Sequence, residues 1–303
     1  MADPRKLFAR LAQHYRVDDG RQFRLAQHDP AEVREVSGKA QARKLLEAGL
    51  ERLRELQERL YAQDRWSVLM VLQAMDAAGK DGAIEHVMSG VNPQGCQVTS
   101  FKAPSEEELD HDYLWRVARA LPERGRIGIF NRSHYEELVV VRVHPELLER
   151  QRLPQRSGGD ELWRQRANDI AAWEAYLARN GTAIAKIFLH VSKAEQKQRF
   201  LQRLDEPAKH WKFNLGDVQE RGRWNSYQKA YQEAIARTAA AHAPWYVVPA
   251  DTKWFTRLVV MAALLETLER LELQFPRVTG PRKEELVQAR ALLAAEGRGR
   301  ARR

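Results

Sequence analysis

The stretch Ser67-Val-Leu-Met-Val-Leu-Gln-Ala74 is followed directly by Met75-Asp-Ala-Ala-Gly-Lys-Asp-Gly82. The first part is an almost continuous apolar run of the length of a buried strand. A glycine and a lysine then open a stretch with helical spacing that reaches about residue 90. A strand, a glycine-containing turn and a helix in this order are typical of a phosphate-binding loop, and this order decides the fold class.

Strand and helix patterns alternate on both sides of this stretch. Further strands are predicted at 97–101, 127–130, 183–191 and 245–250, and helices at 40–60, from 104 to about 122, at 161–180, after 192, at 224–242 and at 256–273. The segment 138–143 has strand-like composition, but its position after a strand end favours a helix. We therefore expect an α/β fold in which helices cover both faces of a parallel five-stranded sheet.

Three regions follow from the same patterns. Residues 1–60 are interpreted as an N-terminal surface segment and a helix, and residues 61–275 as the phosphate-binding domain, with its lid at about 205–223. Residues 276–303 are interpreted as a basic tail, because Glu296 to Arg303 contain four arginines and one glutamate.

Composition limits the class of protein. The chain has 303 residues, a net charge of +9 and a single cysteine, Cys96, so an intrachain disulfide is excluded. The N-terminus lacks the apolar core of a secretory signal, and no uncharged apolar run reaches the length of a membrane span. These features predict a cytosolic protein without a membrane partner, and the basic balance suggests an anionic ligand.

The glycine-lysine turn carries the clearest chemistry. Backbone amides at the start of a helix point toward an anion, and the helix dipole favours negative charge there. Lys80 adds a positive charge suited to a transferring phosphoryl group. The other residues expected to bind phosphate through this loop are Ala77, Ala78, Gly79, Asp81 and Gly82.

The loop departs from the usual P-loop pattern in two places. Ala74 replaces the first glycine, and Asp81 replaces the hydroxyl residue that usually holds magnesium. Asp76 and Asp81 supply carboxylate oxygens, the ligands that magnesium prefers, so Asp76 is the predicted metal residue, with manganese as the alternative ion. The competing interpretation is an ordinary strand-to-helix turn with a surface lysine.

Two further motifs fall at predicted strand ends. Phe130-Asn-Arg-Ser-His-Tyr-Glu136 places Arg132 toward the phosphates and puts Asn131 and Glu136 nearby, although such a sequence is also typical of a helix-capping turn. Lys102 follows the strand at 97–101 and is a candidate contact for nucleotide or phosphate. Ligands of parallel sheets bind beyond these carboxyl ends.

Basic and aromatic residues alternate between Pro207 and Asn225. Lids of phosphoryl-transfer enzymes close cations over phosphates in this way, although a solvated basic surface or a single-strand nucleic-acid site has a similar composition. His210 is interpreted as a cation in the lid or as a proton switch. The residues predicted to face phosphate here are Lys209, His210, Lys212 and Arg223.

Four motifs in fixed order resemble the polyphosphate kinase 2 family over residues 15–276, in a class III-like form. They are Met75-Asp-Ala-Ala-Gly-Lys-Asp-Gly82, Asn131-Arg-Ser-His-Tyr-Glu136, Lys209-His-Trp-Lys-Phe213 and Ala243-Pro-Trp-Tyr-Val-Val-Pro-Ala250. The resemblance implies a three-layer α/β/α fold of the P-loop kinase type, with a parallel five-stranded sheet and a helical lid. It also implies magnesium, a basic channel under the lid and a homo-oligomer, either dimer or tetramer. It also implies that Asp76 and Lys80 are essential, that Arg132 contacts phosphate, and that Lys209 and Lys212 lie along the polyphosphate path.

The resemblance implies a kinase that transfers the terminal phosphoryl group of polyphosphate to AMP or ADP, reversibly, with ATP as a further nucleotide ligand. Asn131 and Glu136 support the class III assignment, whose members are associated with both mono- and diphosphate acceptors. Asn225 departs from the family pattern, where an aspartate usually stands. Two alternatives stay open: an ATP-dependent nucleotide kinase of the same fold, and a non-catalytic binder of polyanions, with nucleic acid the less favoured ligand.

Overall fold

The computed structural model describes residues 3–154 and 159–299. The side chains of residues 212 and 296–299 lie outside this description, as do residues 300–303, so most of the predicted arginine-rich end lies outside the described residues. The chain divides into two compact units, Met1–Leu273 and Gln274–Arg303. Within its described residues, the second unit contains the helix α12 (Pro281–Gly299). No helix among the described residues is both long and apolar enough to cross a membrane.

A single six-stranded sheet lies at the centre of the first unit, with the strand order β1-β6-β5-β2-β4-β3. Its strands are β1 (Arg16–Asp19), β2 (Ser67–Ala74), β3 (Cys96–Ser100), β4 (Ile127–Asn131), β5 (Thr182–His190) and β6 (Ala240–Pro249). All eight residues of β2 are buried, as expected for the middle of a sheet covered on both faces. The connection after β2 runs to β3 on one side of the sheet, and the connection after β4 runs to β5 on the other side. The carboxyl ends of the neighbouring strands β2 and β4 therefore form a switch point, where ligands of such sheets bind.

The predicted parallel strands are present as β2 to β6, but the sheet has a sixth strand that the sequence patterns missed. The short β1 pairs antiparallel with β6, so the sheet is mixed. The end of β1 consists of two exposed aspartates, which give no apolar signal. Its pairing depends on a partner more than 200 residues away, and it covers an edge of the sheet that would otherwise expose unpaired backbone groups.

Helices cover both faces of the sheet. The α-helices described in the first unit are α1 (Pro4–Tyr15), α2 (Lys39–Gln63), α3 (Lys80–Val87), α4 (Glu106–Leu109), α5 (Trp115–Ala118), α6 (Glu136–Val143), α7 (Asp160–Arg179), α8 (Lys193–Asp205), α9 (Leu215–Glu220), α10 (Trp224–Thr238) and α11 (Lys253–Glu269). Helix α11 packs on β2, β5 and β6 and also on α1, α2 and α3, and these four helices form one layer. Helices α6, α7 and α10 pack on each other, and α7 contacts β5 and β6, which gives the second layer.

Three local predictions differ from the structure. The helix expected from residue 104 to 122 is split into α4 and α5, because the Asp112 carboxylate accepts a hydrogen bond from the amide of Leu114 and so stabilises a turn. The helix expected at 224–242 ends at Thr238, since Ala240 already pairs with β1. The N-terminal segment, expected on the surface, begins with α1, which buries five side chains against the core.

A buried ion pair lies between the sheet and α7. Lys186 on β5 and Glu174 on α7 are almost fully buried, and their charged atoms are 2.5 Å apart. The ammonium also donates to the hydroxyl of Tyr135 and to the carbonyl of Thr238. Although burial alone would raise the pKa of Glu174, the charge of Lys186 holds that pKa below its ordinary value. The pair therefore belongs to a hydrogen-bonded network that also includes Tyr135 of the turn after β4.

We expect Lys186→Met to lower the free energy of unfolding by about 3–5 kcal/mol, because it leaves the Glu174 carboxylate buried without its partner. Urea denaturation followed by circular dichroism measures this loss. The double variant Lys186→Met/Glu174→Leu should lose less than the single variant, since no unpaired charge remains. Lys229→Met on the exposed side of α10 is the matched control, with an expected change below about 0.5 kcal/mol. Equal losses in the single and double variants would contradict this account.

Candidate active site

The loop between β2 and α3 has the conformation of an anion-binding turn. Ala77 and Gly79 have φ angles of 60° and 104°, in the left-handed region. Gly79 caps α3, whose first amides have no partner within the helix. A strand, a left-handed turn and a helix N-terminus thus place several N–H donors together at the carboxyl edge of the sheet, as the sequence predicted.

Lys80, the first residue of α3, lies against this loop. Its ammonium donates a hydrogen bond to the carbonyl of Ala74, 3.1 Å away. Burial lowers the pKa of Lys80, and the carboxylates of Asp76 and Glu136 oppose that shift. The ammonium is therefore held close to the carboxylates of the site, at the position where the loop presents its amides.

The turn after β4 meets the loop after β2. Arg132 has a φ of 64°, and its amide donates to the carbonyl of Leu72 on the neighbouring strand. Its guanidinium donates to the Asp76 carboxylate at 3.0 Å and lies 3.8 Å from the Glu136 carboxylate. Through these contacts, Arg132 connects the ends of β2 and β4, which the sequence predicted at the same edge of the sheet.

Two more predicted residues meet here. The amide of Asn131 donates to the Asp81 carboxylate at 2.9 Å, so the end of β4 is tied to the first turn of α3. Burial raises the pKa of Glu136, against the opposite effect of Arg132 and Lys80. These carboxylates and cations form one coupled cluster at the loop.

Helix α8 holds the loop through an arginine that the sequence analysis did not select. The buried guanidinium of Arg199 donates to the carbonyls of Ala77 and Ala78, at 3.1 and 2.7 Å. It also donates to the carbonyls of Ala250 and Asp251, which follow β6. These bonds fix the carbonyls of Ala77 and Ala78 and so stabilise the conformation of the loop.

A cavity of about 530 Å³ opens over the loop. Ten of the residues that the sequence predicted line it, namely Asp76, Ala77, Ala78, Gly79, Lys80, Asp81, Gly82, Asn131, Arg132 and Lys209. The lining residues that sequence reasoning missed include Arg199, Gln202, Arg203, Asp217, Lys253 and Arg257. The cavity is therefore built from four separate parts of the chain.

The remaining predicted residues have other surroundings, as far as the described side chains show. Lys102 is exposed, and its carbonyl accepts a hydrogen bond from Arg116. His210 lies 2.8 Å from the carbonyl of Leu204, and Arg223 donates to the carbonyl of Val143. Contact of Lys102, His210 and Arg223 with phosphate or nucleotide therefore stays a prediction. Lys212 belongs to the 3-10 turn Pro207–Lys212, but its side chain is outside the described part.

The wall of the cavity that α11 forms carries the cations Lys253 and Arg257. Burial lowers the pKa of Lys253, and the neighbouring charge of Arg199 lowers it further. Burial also lowers the pKa of Arg257. Opposite them, burial and the Asp76 carboxylate raise the pKa of Asp217. A polyanion entering this cavity would relieve the repulsion between the cations, so the electrostatics favour a ligand with several negative charges.

Comparison with known proteins agrees with this geometry. The model of the polyphosphate kinase 2 family matches residues 36–276. The chain is 48% identical to an ADP-polyphosphate phosphotransferase of Rhodopseudomonas palustris, over 93% of this chain and 98% of that protein. It is 47% identical to an AMP/ADP-polyphosphate phosphotransferase of Meiothermus ruber, over 87% of this chain and 95% of that protein.

A solved structure shares the fold. The crystal structure of polyphosphate kinase 2 from Arthrobacter aurescens superposes with a TM-score of 0.85 at 39% sequence identity, over 94% of this chain and 96% of that one. The match therefore extends over nearly the whole of both chains. The family model, the relatives and the common fold show that this chain belongs to the polyphosphate kinase 2 family.

Proposed function

We propose that the protein is a kinase that transfers the terminal phosphoryl group of polyphosphate to AMP or ADP, in a reversible reaction. The observation that carries this proposal is the convergence of Lys80 and Arg132 with the loop amides, in one cavity whose other walls are also cationic. The names of the relatives from Rhodopseudomonas palustris and Meiothermus ruber support polyphosphate and adenine nucleotides as the substrates.

Catalysis in such a site depends on position and charge. Phosphoryl transfer needs little covalent chemistry from the protein, so rate enhancement comes from alignment of the two substrates and stabilisation of charge on the transferring group. We assign that stabilisation to Lys80, Arg132 and the loop amides. Glu136, beside Arg132, is assigned to the placement of the acceptor nucleotide.

The carboxylates of the site fit a divalent cation. Among the described residues, no group of three or more histidine, cysteine or acidic side chains is arranged to hold a metal. Asp76 and Asp217 nevertheless put carboxylate oxygens in the cavity, and Mg²⁺ is usually held by one or two carboxylates together with phosphate oxygens and water. When bound, magnesium would neutralise charge on the phosphate oxygens, and manganese is the alternative ion.

The polyphosphate chain is expected to extend along the wall formed by α11. Lys253 and Arg257 line both the main cavity and an adjoining one, which also contains Lys39 and Arg43 of α2. A row of cations suits a polymer with one charge per phosphate. Lys209 of the predicted lid faces the same cavity. A homo-oligomeric state, dimer or tetramer, and a cytosolic location are proposed on the basis of the sequence.

An assay without ATP separates the proposed reaction from an ATP-dependent nucleotide kinase. Purified protein is incubated with magnesium, polyphosphate and either AMP or ADP, and nucleotides are separated by anion-exchange chromatography. We expect ADP from AMP, and ATP from ADP, because polyphosphate alone supplies the phosphoryl group. Product that forms only after ATP is added would favour the ATP-dependent alternative, and tight salt-sensitive binding without turnover would favour a polyanion binder.

Lys80→Ala should lower kcat by at least about tenfold, which corresponds to roughly 1.4 kcal/mol of activation free energy. The reason is the loss of the positive charge nearest the loop amides. Initial rates of ATP formation from ADP and polyphosphate measure the effect. Lys229→Ala removes a lysine that lines none of the described cavities and should leave kcat unchanged. A normal rate for Lys80→Ala would refute the assigned role.

Arg257→Ala tests the polyphosphate path. We expect the KM for polyphosphate to rise about threefold to tenfold, or roughly 0.7–1.4 kcal/mol, with the KM for ADP within about twofold of the wild-type value. The KM for polyphosphate should change more than the KM for ADP, because Arg257 lies on the wall formed by α11 rather than beside Glu136. Separate titrations of the two substrates provide the measurement. Equal increases in both KM values would argue against this path.

A further inference from the structure

The side chain of Gln196 on α8 connects two functional parts of the molecule. Its carboxamide is almost fully buried, at 1% exposure. The amide nitrogen donates to the carbonyl of Asp76 at 2.8 Å. The amide oxygen accepts from the guanidinium of Arg221 at 2.6 Å. One side chain thus bonds the phosphate-binding loop on one side and an arginine of the predicted lid on the other.

Arg221 lies where the predicted lid returns to the body of the protein. It follows α9 and begins the 3-10 turn Arg221–Arg223 that leads into α10. The same guanidinium also donates to the carbonyl of Lys193, at the start of α8. This end of the predicted lid is therefore held to α8 by an arginine whose position also sets the orientation of Gln196.

The orientation of the Gln196 amide is fixed by its two partners. A guanidinium only donates hydrogen bonds and a carbonyl only accepts them, so the flipped amide would place like groups against each other on both sides. With Arg221 in place, the nitrogen must face the carbonyl of Asp76. Loss of Arg221 would remove this selection and allow the amide to rotate.

The carbonyl of Asp76 in turn determines where the next amide points. In a trans peptide the C=O and the following N–H point in opposite directions, so a carbonyl held toward α8 directs the amide of Ala77 away from it. Ala77 has a φ of 60°, which is unfavourable for a residue with a Cβ atom. The peptide between Asp76 and Ala77 therefore needs external bonds to keep this conformation, and Gln196 supplies one.

We propose that Gln196 is a positioning residue that couples the lid to the phosphate-binding loop. When the lid end is seated, Arg221 orients Gln196, and Gln196 holds the loop peptide with its amide toward the ligand. When the lid end leaves, the loop loses this support. The inference rests on the proposed kinase function, because the benefit of the coupling is a loop that is fully formed only under a seated lid.

The kinetic test uses two substitutions of Gln196. Gln196→Glu keeps an acceptor for Arg221 but replaces the donor to the Asp76 carbonyl by an oxygen, and Gln196→Met removes both bonds at similar size. We expect each to lower kcat about tenfold, or roughly 1.4 kcal/mol, with the KM for polyphosphate within about threefold. Gln198→Glu and Gln198→Met on the exposed side of α8 are the matched controls, with wild-type kinetics. Wild-type kcat in both Gln196 variants would overturn the proposal.

Substitution of Arg221 provides an independent test in which the buried Gln196 is unchanged. Arg221→Met should reduce kcat, and Arg221→Lys should restore part of the loss because it retains a donor to Gln196. In the double variant Gln196→Met/Arg221→Met, kcat should fall no further than in the worse single variant, since both act through the same bond. Independent, multiplicative losses would show that the two residues do not act together.

Hydrogen exchange separates failure of this coupling from failure of the proposed reaction. Without any substrate, Gln196→Met and Arg221→Met should speed amide exchange in the peptide covering residues 75–80, while exchange in β5 stays as in the wild type. Unchanged exchange at residues 75–80 in both variants would overturn the coupling even if the enzyme is active. Faster exchange there, in a protein whose wild type makes no ATP from polyphosphate, would refute the reaction instead.

Discussion

The contact between the Arg132 guanidinium and the Asp76 carboxylate is the interaction around which the site is organised. It joins the ends of β2 and β4, which are parallel neighbours with Leu72 beside Asn131. The amide of Arg132 continues the ladder onto β2, and this bond holds the residue in its left-handed conformation. The sheet thereby brings a cation from one strand end to the anion-binding loop of the next.

This contact also explains why an anion-binding site contains so many carboxylates. Burial would lower the pKa of Arg132, yet Glu136 and Asp76 raise it above its ordinary value. At Lys80 the same acids oppose the effect of burial, but burial prevails and the pKa of the ammonium lies below its ordinary value. The acids therefore offset part of the cost of burying the cations and hold them in place, and phosphate oxygens or a metal ion can then exchange with these internal partners. A site with cations alone would pay a larger desolvation and repulsion penalty while empty.

The parts of the molecule that could be predicted from sequence are those whose signal is local. The apolar run of β2, the following glycine and Lys80 occur within a few residues, and the motif around Arg132 follows a second apolar strand. Arg199 gave no such signal, because an arginine on an amphipathic helix is normally a surface residue. Only the packing of α8 against the loop brings it to the carbonyls of Ala77 and Ala78.

The same reasoning applies to the wall of the cavity and to the edge of the sheet. Lys253 and Arg257 lie on α11, whose sequence is dominated by its buried apolar face, so that nothing in the local pattern distinguished them. The short β1 forms its backbone pairing with β6, a strand more than 200 residues away in the sequence. A residue whose role depends on contacts between distant segments can be identified only from the fold. A residue whose role is contained within one strand-turn-helix unit can be predicted from the sequence.

The distribution of charge also distinguishes the two classes of anionic partner. A nucleic-acid surface gains affinity from cations spread along an open face, where each neutralises one phosphate of a long duplex or strand. Here Lys80, Arg132 and Arg203 instead line one cavity together with the carboxylates of Asp76 and Asp217. Carboxylates weaken simple anion binding, but they are needed where a metal ion and a transferring phosphoryl group meet. The cations on the wall of α11 suit an extended phosphate polymer, whereas the carboxylates beside Lys80 and Arg132 suit chemistry at a single phosphate, which a kinase requires.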